Sequence, residues 1–543
     1  MKTYREQGSS IINQAGVVHG AVIVVASALL MGVGVVGTTA VHRGQVPPNE
    51  TRVRSSANIN QEVSTSDTSD DTSTNTEDIQ HSEPATVHAA TKQASVIPSK
   101  SQPVLPAPKG PQNPVAEPTS GAPYTTTQFL DSLGVVAHLT DKDYPSSSVT
   151  LEKLKYLGVR HVRTNNAINS TEGVVTTKKL GQNGIRFDFT VPAPSGNPPS
   201  AGAIQTATDK RVNYVVDNGL APYTELIETF NEYDNGRTTE TWVNTIKQSQ
   251  PYLYAQSTKL GSGIKIMGPS LVGYKLGSTA SAITAAADGK PLSSYFSYGN
   301  LHTYFGYSAP ESSYGDAQSG SILKPATSPT GAATNFDTRV QYYTYYISPD
   351  KPIIITETGY NTDAKGWSKG VSEKAAGIYT PRMFLEAYRI GVVRTYEYEL
   401  YDEATASPSH EQHFGLFRKD GSPKPAAVAL HNMTSLLAGG SDAFTPASLP
   451  VTFSGDTTGL KKVMLQKSDG EHWLMLWRGL PVYGSDHKDK DVAATNVSVN
   501  FSSPRSVTLY SGLTQTSPAI RSLGSVQAAT IPLGPEVCLL KVQ

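Results

Sequence analysis

The sequence predicts an α/β architecture: a (β/α)8 TIM barrel followed by a C-terminal antiparallel β-sandwich, with an N-terminal apolar helix and a disordered linker ahead of both. Three observations carry this. Short β-like runs alternate with helical stretches over about 310 residues. Polar side chains recur where those runs end. Beyond Gly440 the pattern changes to short β-rich runs punctuated by Gly, Pro, Asp and Ser.

The first element, Ala21–Val41, is uncharged and predominantly apolar, with Lys2 and Arg5 ahead of it. About twenty such residues span a bilayer core. Residues 1–43 therefore read as a signal-anchor or transmembrane segment that places the chain in the cell membrane as a single-pass protein, its large domain outside the cytoplasm. Thr38-Thr39-Ala40 offers small residues for cleavage, which would make the chain a secreted protein instead. Gly32, Gly34 and Gly37 spell G-x-G-x-x-G, but no βαβ unit surrounds them, so no dinucleotide site is expected. Residues 44–122 are rich in Ser, Thr and Pro, ending in Pro103, Pro106, Pro108, Pro111, Pro114 and Pro118. Such a composition buries too little apolar surface to offset chain entropy and reads as a tether with a reach of roughly 50 Å.

The barrel is expected over residues 123–438. Its eight strands are predicted at Gly134–Leu139, Gly158–Arg163, Gly184–Val191, Leu226–Asn231, Ile264–Pro269, Gly299–Tyr304, Pro352–Glu357 and Val392–Leu400. Helices at Leu151–Leu157, Thr239–Ser257 and Ser372–Ile390 alternate with them. Residues 439–543 supply the sandwich, with strands at Lys462–Gln466, His472–Trp477, Thr495–Phe501, Ser506–Tyr510, Ser525–Ile531 and Val537–Val542. Trp473 and Trp477 alternate on one strand, where burial of one face explains them better than sugar binding does.

Bulk chemistry narrows the function. The chain carries 45 Lys+Arg against 46 Asp+Glu, a formal charge of −1, so nothing draws it to nucleic acid. The single cysteine, Cys538, rules out an intrachain disulfide framework and reads as a buried small hydrophobe. His410-Glu411-Gln412-His413 spaces its histidines three apart rather than four, so it is not a zincin motif. Asp486, Asp489 and Asp491 are interleaved with Lys488 and Lys490 and read as a solvated hairpin rather than a calcium loop. No metal and no cofactor are expected, and the chain is expected to act as a monomer.

The polar residues at the strand ends are His138, Arg163, Asn231-Glu232, His302 with Tyr304, Glu357 and Asp402. In a barrel these ends converge on one pocket. A lone strand-end glutamate is usually a solvated loop residue; two, on the fourth and seventh strands, point to paired carboxylate chemistry. Thr229-Phe230-Asn231-Glu232 and Ile353-Ile354-Ile355-Thr356-Glu357-Thr358-Gly359-Tyr360, with Arg163, His302-Thr303-Tyr304 and Gly415–Leu430, resemble clan A of the glycoside hydrolases, especially families 5 and 39. The resemblance runs from about Thr125 to Leu437. Strand eight departs from it: Tyr396-Glu397-Tyr398 stands where many members place a tryptophan beneath the sugar.

The resemblance implies a retaining glycoside hydrolase acting on a β-linked oligo- or polysaccharide by double displacement, with transglycosylation within its range. Glu232 would be the acid/base and Glu357 the nucleophile, about 5–5.5 Å apart, with Glu357 raising the proton affinity of Glu232. Arg163 would orient ionised Glu357, Tyr304 would hydrogen-bond it, and Asn231 would bind the sugar 2-hydroxyl. His302, His138, Tyr398 and Asp402 complete the expected substrate-binding set. The competing reading is a catalytically inert glycan-binding or adhesive surface protein; two glutamates standing in their motifs favour the enzyme.

Overall fold

The computed structural model describes residues 124–543 except 142–143, 273–278, 314–328, 330–335, 365–368, 404–411 and 442. The apolar segment Ala21–Val41, the linker 44–122, the glycine motif and His410-Glu411 lie outside the described residues. Among the described residues no helix is long and apolar enough to cross a membrane.

After a two-residue strand β1 (Tyr124–Thr125) come β2 (Leu133–Val136), β3 (His161–Thr164), β4 (Arg186–Val191), β5 (Thr224–Phe230), β6 (Lys265–Ile266), β7 (Gly299–His302), β8 (Ile353–Thr358) and β9 (Arg394–Glu397). These last eight form one sheet in the order β6-β5-β4-β3-β2-β9-β8-β7, every neighbouring pair parallel. Its two edges meet through the parallel bridge Met267–Tyr298 and the Gly268 N–H, which donates to the Tyr298 carbonyl at 2.8 Å, so the sheet closes on itself. The eight strands are those the alternation predicts, most of them shorter. Past Glu397, for example, the chain leaves the predicted strand and crosses the barrel mouth, the Leu400 N–H donating to the Val136 carbonyl at 3.0 Å.

Local chemistry starts the surrounding helices. Ser170, Ser200, Thr238 and Ser372 each accept an amide of the first turn of Thr171–Gln182, Ala201–Asp217, Thr239–Ala255 and Glu373–Arg389, supplying acceptors that the helix ends lack. Inside the barrel, alternate residues face the lumen. Gly134 pairs with Tyr396, and a Cβ there would lie 2.5 Å from the Tyr396 ring, so the missing side chain makes room for the tyrosine in the lumen.

The C-terminal strands are β10 (Val451–Gly455), β11 (Leu460–Gln466), β12 (His472–Arg478), β13 (Thr495–Ser511), β14 (Ala519–Leu533) and β15 (Cys538–Val542). With β1 parallel to β11 they make one seven-stranded sheet. The predicted strands Thr495–Phe501 and Ser506–Tyr510 are two halves of β13, separated by a register shift against β14 between Asn500 and Arg505. The interruption is Ser502-Ser503-Pro504, where proline removes a ladder donor and the bulge lets the strand bend. The first half pairs with β10 and the second with β15, so the expected two layers are joined through one long strand.

Alternation along β12 divides its burial. Leu474 and Leu476 join Val497, Val499, Ile531, Cys538 and Leu540 in the sheet's own core, whereas Trp473, Met475 and Trp477 belong to the core shared with the barrel. Both tryptophans are buried, which leaves them to packing. Cys538 is buried too, and burial pushes its thiol up to about 12. The join is also polar. Arg382 of helix Glu373–Arg389 grips Glu311 with Nε at 2.8 Å and with Nη2, while the Trp477 indole N–H donates to the same carboxylate at 2.6 Å. Arg382 and Glu311 are buried, so each is the desolvated partner of the other.

A second buried network closes the N-terminal mouth of the barrel. His161 Nδ1 lies 2.8 Å from Glu225 and Nε2 2.9 Å from Asp131, and Arg394 bonds both carboxylates. Burial and the Arg394 charge work against the His161 proton, but Glu225 and Asp131 outweigh them and its pKa is raised. Burial raises the two carboxyls, yet His161 and Arg394 dominate: Glu225 falls to about 2 and Asp131 well below its usual range. A raised histidine contributes stability below about pH 6.5 and loses it as pH rises through its folded value; depressed carboxyls contribute above about pH 4 and lose it as pH falls. The network therefore stabilises most between about pH 4 and 6.5. In melting curves across pH, His161→Gln should lie furthest below wild type in that window, with the gap narrowing on both sides.

Candidate active site

Strands β3, β5, β7 and β8 end at the same barrel mouth and carry the predicted residues there. Arg163, near the end of β3, is buried and divides its guanidinium among three acceptors. Nε donates to Glu228 Oε1, Nη1 to Glu357 Oε2 at 2.9 Å, and Nη2 to Asn231 Oδ1 at 2.6 Å. Burial alone would loosen the Arg163 proton, but the charges of Glu228 and Glu357 more than reverse this, and its pKa stands above the ordinary arginine value.

Glu357, on β8, receives a second donor: the Tyr304 hydroxyl, 2.6 Å from Oε1. Burial and the Glu357 charge hold that phenol well above its usual pKa, so it stays a donor. The Gly359 that follows the motif has a packing reason, since a Cβ there would lie 2.4 Å from the Tyr398 carbonyl oxygen. Glu232 follows β5 in a left-handed conformation with φ 41°, one that L-residues rarely adopt. His302 Nδ1 lies 3.0 Å from Glu232 Oε1 and 3.5 Å from Glu357 Oε2. An oxygen of each glutamate and the His302 nitrogen all fall within 4.8 Å of one another.

His302 is buried, and burial is the main reason its pKa drops to about 4; Arg163 adds to the fall, while Glu357 and Glu228 oppose it. The ring is therefore neutral at neutral pH. Asn231 is exposed, and with Oδ1 occupied by Arg163 its amide nitrogen is the group left to meet a ligand.

The structure brings together Arg163, Asn231, Glu232, His302, Tyr304 and Glu357. It places the other three candidates differently. Tyr398 packs edge-on to Tyr304 at 6.5 Å and to Phe414 at 5.3 Å. His138 packs against Tyr398, 5.8 Å ring to ring, with Nε2 3.2 Å from Glu399 and 3.8 Å from Glu403. Burial opposes its proton, but Glu399 raises its pKa to about 9, and burial lifts Glu399 to about 7. Asp402 is tied into the loop beyond β9: its Oδ1 accepts from Lys424 Nζ at 2.7 Å and from the Gly415 amide at 2.9 Å. That ion pair accounts for its burial without a ligand.

Sequence reading missed the layer beneath. Glu228 and Asp188 have no solvent exposure; Asn300 and Thr356 are equally enclosed. Glu228 Oε2 accepts from Asn300 Nδ2 at 2.5 Å, and the Thr356 hydroxyl donates to Asn300 Oδ1. Asp188, in register with Arg163 on the adjacent strand, has no partner for either oxygen among the described residues. Burial and then the Glu228 charge push its carboxyl well above the usual range, with Arg163 opposing. Glu228 lay in view in the run Leu226–Asn231, four residues before Glu232. The only available signal was a charged residue inside a strand otherwise fit for burial.

No protein-family model and no curated protein sequence matches this chain. Solved structures do. A glucosidase from Croceicoccus marinus shares 11% identity over 79% of this chain and 98% of its own, with a TM-score of 0.50. A family 39 glycoside hydrolase from Bacteroides cellulosilyticus shares 15% identity over 78% of this chain and 83% of its own, at 0.46. A family 17 β-1,3-glucanosyltransferase from Rhizomucor miehei shares 16% over 55% and 97%, at 0.38. At such identities the likeness is one of fold alone, shared with the Croceicoccus marinus glucosidase.

Proposed function

We propose that the chain is a retaining glycoside hydrolase of β-linked glycans, with Glu357 as nucleophile and Glu232 as acid/base. The observation that supports it most is the close pair itself: carboxylate oxygens within 4.8 Å, in contrasting surroundings. Retaining enzymes hold their carboxyl groups about 5–5.5 Å apart, and inverting ones about 6.5–9.5 Å, to admit a water. Glu357 accepts from Arg163 and Tyr304, and Glu232 faces the imidazole of His302.

In the first step a Glu357 oxygen bonds to the anomeric carbon as the glycosidic C–O bond breaks. The departing oxygen takes the proton of Glu232. In the second, water bonds to the same carbon, Glu232 recovers a proton from it, and the bond to Glu357 breaks. A sugar hydroxyl in place of water gives transglycosylation. Asn231 Nδ2 is suited to the sugar 2-hydroxyl, a contact that strengthens in the oxocarbenium-like transition state. Tyr398 offers the ring wall for the sugar, and His138 with Glu399 and Glu403 lines the cleft beyond it.

On a panel of β-linked aryl glycosides and oligosaccharides, Glu232→Gln and Glu357→Gln should each lower kcat by about 10²–10⁴-fold. The first anomer released, followed by NMR, should be the β form. Wild-type turnover unaffected by either change would sink the assignment. Arg163→Lys keeps the charge but loses the three-way fork; it should lower kcat by about 100-fold while KM stays within about threefold.

We also propose that Ala21–Val41 holds the enzyme at the membrane with its barrel outside the cytoplasm, on a tether formed by residues 44–122. Full-length protein should remain with membranes after high-salt and alkaline washing and be shaved from intact cells by protease. Recovery in the soluble cell fraction would refute this placement.

A further inference from the structure

The hydrogen bonds beneath the two glutamates have directions that can be assigned in sequence. Glu228 is ion-paired through Oε1 to the Arg163 Nε, and the oxygens of such a carboxylate can only accept. Asn300 must therefore present its Nδ2 to Glu228 Oε2, at 2.5 Å, which turns its Oδ1 toward Thr356. That oxygen accepts, so the Thr356 hydroxyl proton points to Asn300. With its proton committed, Thr356 Oγ1 serves His302 Nε2, 3.1 Å away, as acceptor, and the His302 proton lies on Nε2. A neutral ring then carries a lone pair on Nδ1, 3.0 Å from Glu232 Oε1. Of those two atoms the one able to donate is a protonated Glu232.

We infer that Glu228 is a positioning residue for both glutamates: Oε1 anchors Arg163 beneath Glu357, while Oε2 starts a directed chain through Asn300, Thr356 and His302 that makes Nδ1 the acceptor of the Glu232 proton. One buried carboxylate thus supports the two glutamates in opposite states, one as an anion held by Arg163 and the other as an acid held by the imidazole. This rests on the proposed division of roles between Glu232 and Glu357. The groups acting on the His302 ring are Glu232, Glu357, Arg163 and Glu228; Tyr304 and Arg339 act on Glu232. Burial keeps the ring neutral against the two carboxylates, as the chain requires.

Thr356 is the link to cut, because valine removes its hydroxyl at almost constant shape. In Thr356→Val the Nε2 proton loses its acceptor, and the ring gains by carrying the proton on Nδ1 instead. There it donates to ionised Glu232, so the acid should lose its proton at lower pH. The expected result is an alkaline limb of kcat/KM displaced downward by about one pH unit, with Thr356→Ser retaining the wild-type profile. Glu228→Gln should lower kcat by about 100-fold with KM changed by less than about threefold.

The direct reading is the nitrogen-15 spectrum of the His302 ring in the wild-type protein at pH 7. A neutral ring protonated on Nε2 is expected, moving toward Nδ1 protonation in Thr356→Val. An imidazolium or an Nδ1–H ring in the wild type would overturn the inference even if no variant folds. So would a Thr356→Val protein that keeps both the ring state and the pH profile. Absence of turnover on every glycoside would instead count against the proposed function, and the ring spectrum would still decide the chain of hydrogen bonds.

Discussion

The site depends on one guanidinium. Arg163 enters a closed barrel where water is scarce, and a lone buried cation there would cost several kcal/mol of lost hydration. It is tolerated because Glu228, Glu357 and Asn231 take its donors in different directions. The flat fork of arginine matters more than its charge: a lysine ammonium is a point, and cannot hold three acceptors at fixed angles. Charge counting shows what else the lumen accepts. Two carboxylates already face one cation, so a third charge at Asp188 would stand uncompensated. Its enclosed carboxyl is driven toward the neutral form instead.

The two ends of the barrel use similar groups for different ends. At the N-terminal mouth, His161, Glu225, Asp131 and Arg394 satisfy one another and leave nothing to react. At the C-terminal mouth Glu232 sits in a left-handed conformation and Asn231 is exposed. Such strain persists only where the surroundings fix it, and it is the usual companion of reactive geometry. The stiffness is supplied from below by Glu228 and Asn300, and from the side by the sheet that docks through Arg382, Glu311 and Trp477.

What was legible in the sequence follows from this division. Strand ends are readable because they combine a hydrophobic run with a polar stop, and the six residues that converge at the mouth were all of that kind. The lumen was not. On a parallel strand buried on both faces, alternation disappears, so Glu228 and Asn300 gave no periodic sign that they point inward. His138 and Asp402 have partners that the sequence does not show. Both stand beyond strand ends, but Glu399 and Lys424 engage them, and those partners are close only after folding. The bend in β13 was hidden because a bulge at Ser502-Ser503-Pro504 looks, in sequence, like a turn between two strands.

Two glutamates within 4.8 Å cannot be told apart by position, only by what surrounds them. Glu357 meets donors, one of them permanently charged. Glu232 meets the imidazole of His302, whose pKa burial lowers to about 4 and whose other nitrogen lies 3.1 Å from the Thr356 hydroxyl. Environments that push neighbouring carboxyls toward opposite protonation states are how one pocket does acid and base chemistry at a single pH. Here both sets of contacts lead back to Glu228, whose Oε1 takes the Arg163 donor and whose Oε2 takes the Asn300 amide. Glu228 and a residue of that hydrogen-bonded chain, such as Thr356, share partners, so changes at the two are expected to couple rather than add.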